Sequence, residues 1–357
     1  MLQVGIVGLP NVGKSTLFKT LTKKQVPCEN FPFCTIEPNV GIVEVPDERL
    51  LALSKKSNSQ KTIFTAIEFV DIAGLVAGAH KGEGLGNKFL ANIREVDMIA
   101  HVVRAFKDPN VHHVSGGVDP MRDVEIVELE LAMADLDVVQ KRLRNLQGEM
   151  KAGKTKEKEE ETSALEKINV AIQTGKPARL VELSEEEQKA IKGLELLTLK
   201  PVLYIINVDE TTAADPNWKS PFGSERLALP LSVKIESEIM EMPVEEQQVF
   251  LESLGLTKSG LDRMILKCYE LLDLITFLTS GEKESRAWTI KKGTKAPQAA
   301  GVIHTDFEKA FICAEIINWQ DFVALGEVGA REAGKLRTEG KNYVMRDGDT
   351  CNFKVGI

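Results

Sequence analysis

The amino-acid sequence predicts an α/β protein: a parallel sheet with helices on both faces, interrupted by a helical hairpin and followed by a small mixed α+β domain. Three observations carry this. Apolar strand-like runs alternate with helix-like runs over residues 1 to about 120. From Met121, the residues Val124, Val127, Leu131, Ala134, Val138, Leu143 and Leu146 recur at helical spacing with charged residues between them. From about residue 278, short strand-like pieces are separated by Gly-rich turns.

The elements follow in order. Residues 4–7 are an apolar strand, a Gly-rich turn follows, and residues 16–21 read as a helix. Residues 65–70 and 98–103 are two further strands of the same sheet. The helical pattern that starts at Met121 meets a charged, Gly-interrupted stretch at 148–163, read as a turn or mobile tip. Leu165, Ile168 and Ile172 resume the pattern until Gly175-Lys176-Pro177 stops it, so the simplest object is a long hairpin inserted into the first domain. Residues 185–196 read as a helix and 201–207 as a returning strand of the first sheet. In the last section, 288–292, 300–304, 310–316 and 343–345 read as strands, with Asp347-Gly348-Asp349 as a turn. The resulting units are 1–120 with 198–277, the hairpin 121–197, and 278–357.

Composition sets the class. The 357 residues are 43% hydrophobic and 27% charged, as in ordinary globular proteins. A formal charge of −8 argues against a chain coated in nucleic acid. No apolar run approaches the ~18 residues of a membrane span, and the Gly-rich turn at Gly8 leaves no room for a signal peptide. The 5 cysteines include no C-x-x-C pair, which favours reduced thiols over a disulfide frame or zinc site. The chain therefore reads as cytoplasmic, with no membrane partner.

The most specific local signal is Gly8-Leu9-Pro10-Asn11-Val12-Gly13-Lys14-Ser15, which fits Gly, four residues, then Gly-Lys-Ser. It sits between a strand and a helix, where backbone N–H groups and the helix N-terminus can surround phosphates. Gly8 and Gly13 allow the turn and the close backbone approach such a loop needs. Lys14 would reach the β- and γ-phosphates, and the Ser15 hydroxyl would ligate Mg²⁺. Asp71-Ile72-Ala73-Gly74 follows a strand some 55 residues later, as expected for a carboxylate that holds Mg²⁺ through water and a Gly amide that meets the γ-phosphate. Thr35 is the candidate switch threonine and direct Mg²⁺ ligand.

Two positions depart from an ordinary GTPase. Leu75 follows the D-x-x-G element where a glutamine would orient the attacking water, and a Leu side chain has no donor or acceptor. Hydrolysis is therefore expected to be slow or assisted, with His80 and His113 the nearest candidates in sequence. The base-reading stretch is Asn207-Val208-Asp209-Glu210, where a guanine-specific site would have Asn-Lys-x-Asp. Asn207 can pair with adenine N6 and N7 while guanine satisfies only half of it, which argues for ATP over GTP and is equally consistent with modest base discrimination.

The chain resembles the YchF family, the Obg-like ATPase branch of the Obg-related P-loop proteins, essentially end to end. The resemblance rests on GIVGLPNVGKST at 5–16, NFPFCTIEPN at 30–39, DIAGLVAGAHKGEGLGN at 71–87, NVDE at 207–210, RAWTI at 286–290 and APQAAGVIHTDFEKAF at 296–311. It implies a P-loop nucleotide (G) domain, an inserted antiparallel helical coiled coil and a C-terminal TGS domain of β-grasp type. It also implies ATP hydrolysis in preference to GTP, Mg²⁺ as cofactor and association with ribosomes. By matched position it implies phosphate binding by Asn11 to Thr16, Mg²⁺ ligation by Ser15 and Thr35, and base contact by Asn207 and Val208. Ser232 joins the nucleotide-binding set, and His113 matches a substitute catalytic group, although His112 stands beside it here.

The leading expectation is a slow ATPase whose ATP and ADP forms differ in loop order, the Gly-rich stretch from Gly74 to Gly86 being suited to this. The competing expectations are a nucleotide-occupied ribosome or RNA adaptor with incidental turnover, and a GTPase. From residue 281 the chain has twelve Lys/Arg against eleven Asp/Glu, so an RNA contact there or on the coiled coil needs local clustering. Lys291, Lys292 and Lys295 beside Trp288 are the candidate cluster.

Overall fold

A computed structural model of the chain describes residues 2–24, 39–72, 85–108, 117–223 and 226–356. Strand β1 (Gln3–Val7) leads through the Gly-rich loop into helix α1 (Lys14–Lys23), and β2 (Val40–Glu44) follows. Next come α2 (Glu48–Ser57), β3 (Lys61–Ile63), β4 (Ala66–Asp71), α3 (Leu85–Glu95) and β5 (Met98–Arg104). Two long helices, α4 (Pro120–Ala152) and α5 (Lys156–Gln173), form the hairpin, and α6 (Glu185–Ile191) closes its base. The chain returns through β6 (Val202–Asn207), α7 (Glu210–Ala213), β7 (Ala228–Leu231), α8 (Val233–Ile239), α9 (Val244–Ser253) and α10 (Gly260–Leu271).

The first sheet has the order β2-β4-β1-β5-β6-β7, parallel throughout except for β2 against β4. All seven residues of β5 are buried, as expected for a central parallel strand covered by helices on both faces. The strands read from the sequence at 4–7, 65–70, 98–103 and 201–207 correspond to β1, β4, β5 and β6.

The hairpin differs from the expected one at its far end. Instead of a mobile tip over 148–163, α4 continues to Ala152 and α5 starts at Lys156, so only Gly153 to Thr155 turn. The lysines and glutamates there are good helix formers, and they are tied across the pair. Arg142 donates to both Glu161 carboxylate oxygens at 2.6 and 2.8 Å and to Glu149 at 2.7 Å. Below it, Val139 and Leu146 pack against Ala164, Leu165, Ile168 and Ile172. Asp135, buried on α4, accepts from the backbone of Leu197 and Thr198 at 2.9 and 2.7 Å and so fixes the returning chain.

The second sheet contains β8 (Leu274–Ser280), β9 (Glu284–Lys291), β10 (Phe311–Asn318), β11 (Arg337–Glu339) and β12 (Asp349–Val355). Helices α11 (Ala296–Ile303) and α12 (Thr305–Lys309) lie between β9 and β10, and α13 (Trp319–Glu332) follows β10. The order β11-β10-β12-β8-β9 places antiparallel pairs, β10 with β12 and β8 with β9, on either side of a central parallel contact, the arrangement of a β-grasp domain. Two expected strands are absent. Residues 300–303 close α11 and His304 is the N-cap of α12; Pro297 at the start and the buried Ala296, Ala299 and Ala300 let α11 lie close on the sheet. Residues 343–345 contribute a single bridge, Lys295 with Val344.

The division of the chain also differs from the simple one. The second sheet begins at Leu274 rather than 278, and it takes a sixth strand, β3, from between β2 and β4. Leu50 and Leu53 of α2 are buried with Leu278, Ala287, Ile317 and Phe322. Ser57 and Ser59 meet Ser280 and Ser285 at 2.8 Å each. An amphipathic helix signals that it needs a partner but not which sheet provides it.

Candidate nucleotide-binding site

The site stands at the carboxyl ends of β1, β4, β5 and β6, where ligands of open α/β sheets bind. Gly8 (φ 150°) and Gly13 (φ 105°) shape the loop. A Cβ on Gly8 would run into the Val102 carbonyl of β5, and one on Gly13 would lie 2.5 Å from Asn207 Nδ2. Gly13 is also the N-cap of α1 and has no side chain to occupy the helix's first N–H groups. These free donors and the helix dipole make an anion site.

Lys14 lies in the first turn, 8% exposed, with Nζ donating to the Leu9 carbonyl at 2.7 Å. Burial pulls its pKa down to about 8, partly opposed by the Asp71 carboxylate. The same burial raises Asp71, and Lys14 opposes that shift. The two charges thus feel one another across the loop. Asp71 ends β4 opposite Ile6, with its N–H held by the Asn39 carbonyl at 2.9 Å. Ser15 and Thr16 are exposed on the first turn and Val12 is buried.

Asn207 ends β6 and is 5% exposed. Its Nδ2 donates to the Val12 carbonyl at 3.0 Å and its Oδ1 accepts from Val233 N at 3.2 Å. The sequence reading assigned this amide to the base alone. The structure corrects that: Asn207 first ties the phosphate loop to the start of α8, leaving one N–H and one lone pair. Ser232 is likewise turned inward, 3% exposed, with its hydroxyl capping α8 at Ile235 N. Val208 is buried and donates its N–H to the Leu231 carbonyl at 3.1 Å.

Beside the loop opens a cavity of about 720 Å³, with Gly13, Thr16, Phe106, Asn207, Glu210 and Lys234 in its walls. Sequence reasoning missed Phe106 and Lys234. Phe106 is placed by Arg104, which is 2% exposed at the end of β5, donates to the Phe106 and Asp108 carbonyls at 3.2 Å, and stacks on the Phe106 ring at 4.5 Å. An arginine directly after the apolar run 98–103 was the available signal. Lys234 donates to Glu210 at 2.8 Å across the cavity edge.

A divalent cation fits the oxygens present: the exposed Ser15 hydroxyl and the half-buried Asp71 carboxylate are hard donors. Among the described residues no group of three or more His, Cys, Asp or Glu side chains could hold a metal unaided. That suits an ion that arrives with phosphates and keeps several waters. Thr35, Gly74, Leu75, His80, His112 and His113 lie outside the described residues.

The lysine cluster proposed beside Trp288 is open to solvent at Lys291, Lys292 and Lys295. The Trp288 ring itself is engaged within the fold: Nε1 donates to Thr279 at 3.0 Å, Arg286 stacks over it at 4.2 Å, and Phe277 lies parallel at 6.2 Å. Among the described residues no helix is long and apolar enough to cross a membrane.

Known proteins resemble the chain along its whole length. A family model described as 50S ribosome-binding GTPase matches residues 3–141, and the YchF-GTPase C-terminal model, described as a protein of unknown function, matches 274–356. The ribosome-binding ATPase YchF of Bacillus subtilis (strain 168) is 52% identical, with all of both chains covered. Its namesake in Escherichia coli O157:H7 is 49% identical over 99% of each chain. The solved structure of the Schizosaccharomyces pombe YchF GTPase superposes with a TM-score of 0.86 at 42% identity, covering 99% of this chain and 97% of the other. With matches of this strength spanning both sheets and the hairpin between them, the chain belongs to the YchF family.

Proposed function

We propose that this protein is a slow, Mg²⁺-dependent ATPase that acts as a ribosome-binding switch in the cytoplasm. The observation that carries the nucleotide part is the uncapped α1 N-terminus with buried Lys14, opening onto a cavity walled by Asn207. Lys14 has three N–H groups and gives one to Leu9, so two remain for phosphate oxygens. Ser15 and Thr35 would hold Mg²⁺ directly and Asp71 through water, and the bound ion neutralises phosphate charge. The ribosome part is supported by relatives named ribosome-binding ATPases that match along the whole chain. The coiled coil and the C-terminal domain are the surfaces proposed to meet ribosomal RNA.

Preference for ATP is supported by the base end. Val208 stands where a guanine reader has lysine, and the Glu210 carboxylate is engaged by Lys234. The remaining N–H and lone pair of Asn207 are the complement of adenine N7 and N6. ATP is expected to bind about 5- to 150-fold more tightly than GTP, the range of a bidentate base contact of roughly 1–3 kcal/mol. Competitive titration with both nucleotides tests this, and tighter GTP binding would sink the proposal.

Hydrolysis without a glutamine at Leu75 needs another group, and His113 is proposed for it. His113→Ala is then expected to lower the single-turnover rate by 10- to 100-fold with ATP affinity nearly unchanged, because the contact forms mainly in the transition state. His112→Ala and His80→Ala should do less. Equal, negligible losses in all three would take histidine out of the mechanism. Ribosome pelleting without nucleotide, with ADP and with a slowly hydrolysed ATP analogue separates a switch from an adaptor. Binding that ignores the nucleotide favours the adaptor.

A further inference from the structure

The C-terminal sheet is split at its centre. β12 and β8 run parallel but share a single paired position, Thr350 with Leu278. Just before it, Gly348 N donates to the Thr276 carbonyl at 2.8 Å. Beyond that point β12 stays with β10 as far as Val355, and β8 stays with β9 as far as Ser280. Among the described residues no strand lies between them. A cleft of about 580 Å³ opens there.

Its walls come from both faces of the sheet. Ile303, Phe307 and Phe353 belong to the face covered by α11 and α12, whereas Ile317, Phe322 and Leu336 belong to the face covered by α13. An intact sheet would keep these two sets apart. An antiparallel strand bonds its neighbour through alternate residues, so beyond the Thr350–Leu278 bridge the backbone groups of Phe353 point away from β10, toward the cleft. Thr350 lines the cleft at 5% exposure, and its buried hydroxyl has no hydrogen-bond partner. Glu282, Glu284, Glu315 and Glu327 also line it, against Lys283. Lys354 and Arg331, which reach Glu315 and Glu327 at 3.0 and 3.4 Å, stand outside the lining.

We propose that this cleft is a docking site for an extended peptide of a partner protein, which enters as an added strand between β12 and β8. Exposed strand edges recruit extended peptides through main-chain hydrogen bonds, and side-chain pockets give selectivity. Successive side chains of a strand point to opposite faces. Because both faces are apolar here, the peptide is apolar at consecutive positions, and the carboxylates select Lys or Arg at its ends. The Thr350 hydroxyl supplies one further hydrogen bond.

The probe is the blocked peptide Lys-Val-Ile-Val-Lys added to the full-length protein, with amide hydrogen exchange and fluorescence polarisation as readouts. Saturating peptide is expected to slow exchange in 351–355 at least tenfold, and the same peptide with proline at its centre is expected not to. Thr350→Val should weaken peptide binding roughly three- to tenfold, the loss of one hydrogen bond, without lowering the thermal midpoint. Glu282→Lys with Glu284→Lys should weaken it further at low salt. The proposal is overturned if all amides of 351–355 in the free protein exchange as slowly as those of β1, since the edge would already be closed. It is equally overturned if the proline peptide protects as well, or if spermine alone gives the protection, which would make the cleft a small-cation site.

Discussion

Lys14→Met is expected to reduce ATP affinity at least 100-fold and to leave no measurable turnover, in a protein that still folds. The residue contributes a charge aimed at phosphate rather than core packing, and the methionine stem fills the same buried channel. The pH dependence gives a second check. Burial lowers Lys14 from its ordinary 10.5 to about 8 in the empty protein. Between pH 8 and 10.5 the unfolded chain therefore holds the proton that the folded chain has released, and stability from this group rises with pH across that window. Bound phosphate favours the ammonium, so ATP affinity should be full below pH 8 and should fall as pH rises through 8, by up to about tenfold per unit. Thermal melts at pH 7 and 9.5, with calorimetric titration of ATP at both, measure the two effects. In Lys14→Met both pH dependences should vanish. Retention of ATP binding within threefold of the parent would remove Lys14 from the site.

Asn207→Ala is expected to damage stability and binding together. It strands the Val12 carbonyl and the Val233 N–H, both held by the Asn207 amide at 3.0 and 3.2 Å. A buried group without its partner costs about 1–3 kcal/mol, so for two such groups the expected loss is roughly 2–6 kcal/mol by urea denaturation. Because Val12 belongs to the phosphate loop, the loop loses its fixed position, so affinity for both ATP and GTP should drop, about 100-fold for ATP, and the preference for ATP should be lost with the base contact. Asn207→Asp separates the roles: it keeps an acceptor for Val233 and loses the donor for Val12, so nucleotide binding should still fail. If Asn207→Ala changes only the ratio of ATP to GTP affinity, with stability and ATP affinity intact, the residue reads the base and does not brace the loop.

The double role of Asn207 shows where sequence reasoning stopped. Its type and position after an apolar strand were legible, and they point to a base-reading residue. That its amide spans from Val12 to Val233 depends on how three loops meet, which spacing along the chain does not encode. Ser232 is comparable: it lines the same cavity, and its hydroxyl also caps α8, a second role that spacing along the chain does not show. Phe106 carries no motif, and it became part of the site only because buried Arg104 holds its carbonyl and its ring.

The charged tip of the hairpin is a comparable case on the scale of an element. The glycines and charge of residues 148–163 predict a turn, yet the glutamates and lysines are helix formers once Arg142 bridges the two helices. Residues 300–304 carry an apolar run that suits strand or helix equally. The close approach of Ala299 and Ala300 to the sheet decided for helix.

By itself the sequence determined the α/β class, the phosphate loop, the inserted hairpin and a second region of mixed strands and helices at the C-terminal end. All of these are written in local periodicity and in residues whose chemistry works over a few positions. Only the tertiary structure decided that α2 and β3 leave the first sheet for the second, that β12 and β8 part after one pair, and that Asn207 braces the loop. Each of these depends on which of several possible apolar or polar partners is met across long sequence separations. That choice is made by packing and by the need to satisfy every buried polar group, and no short window of sequence contains it.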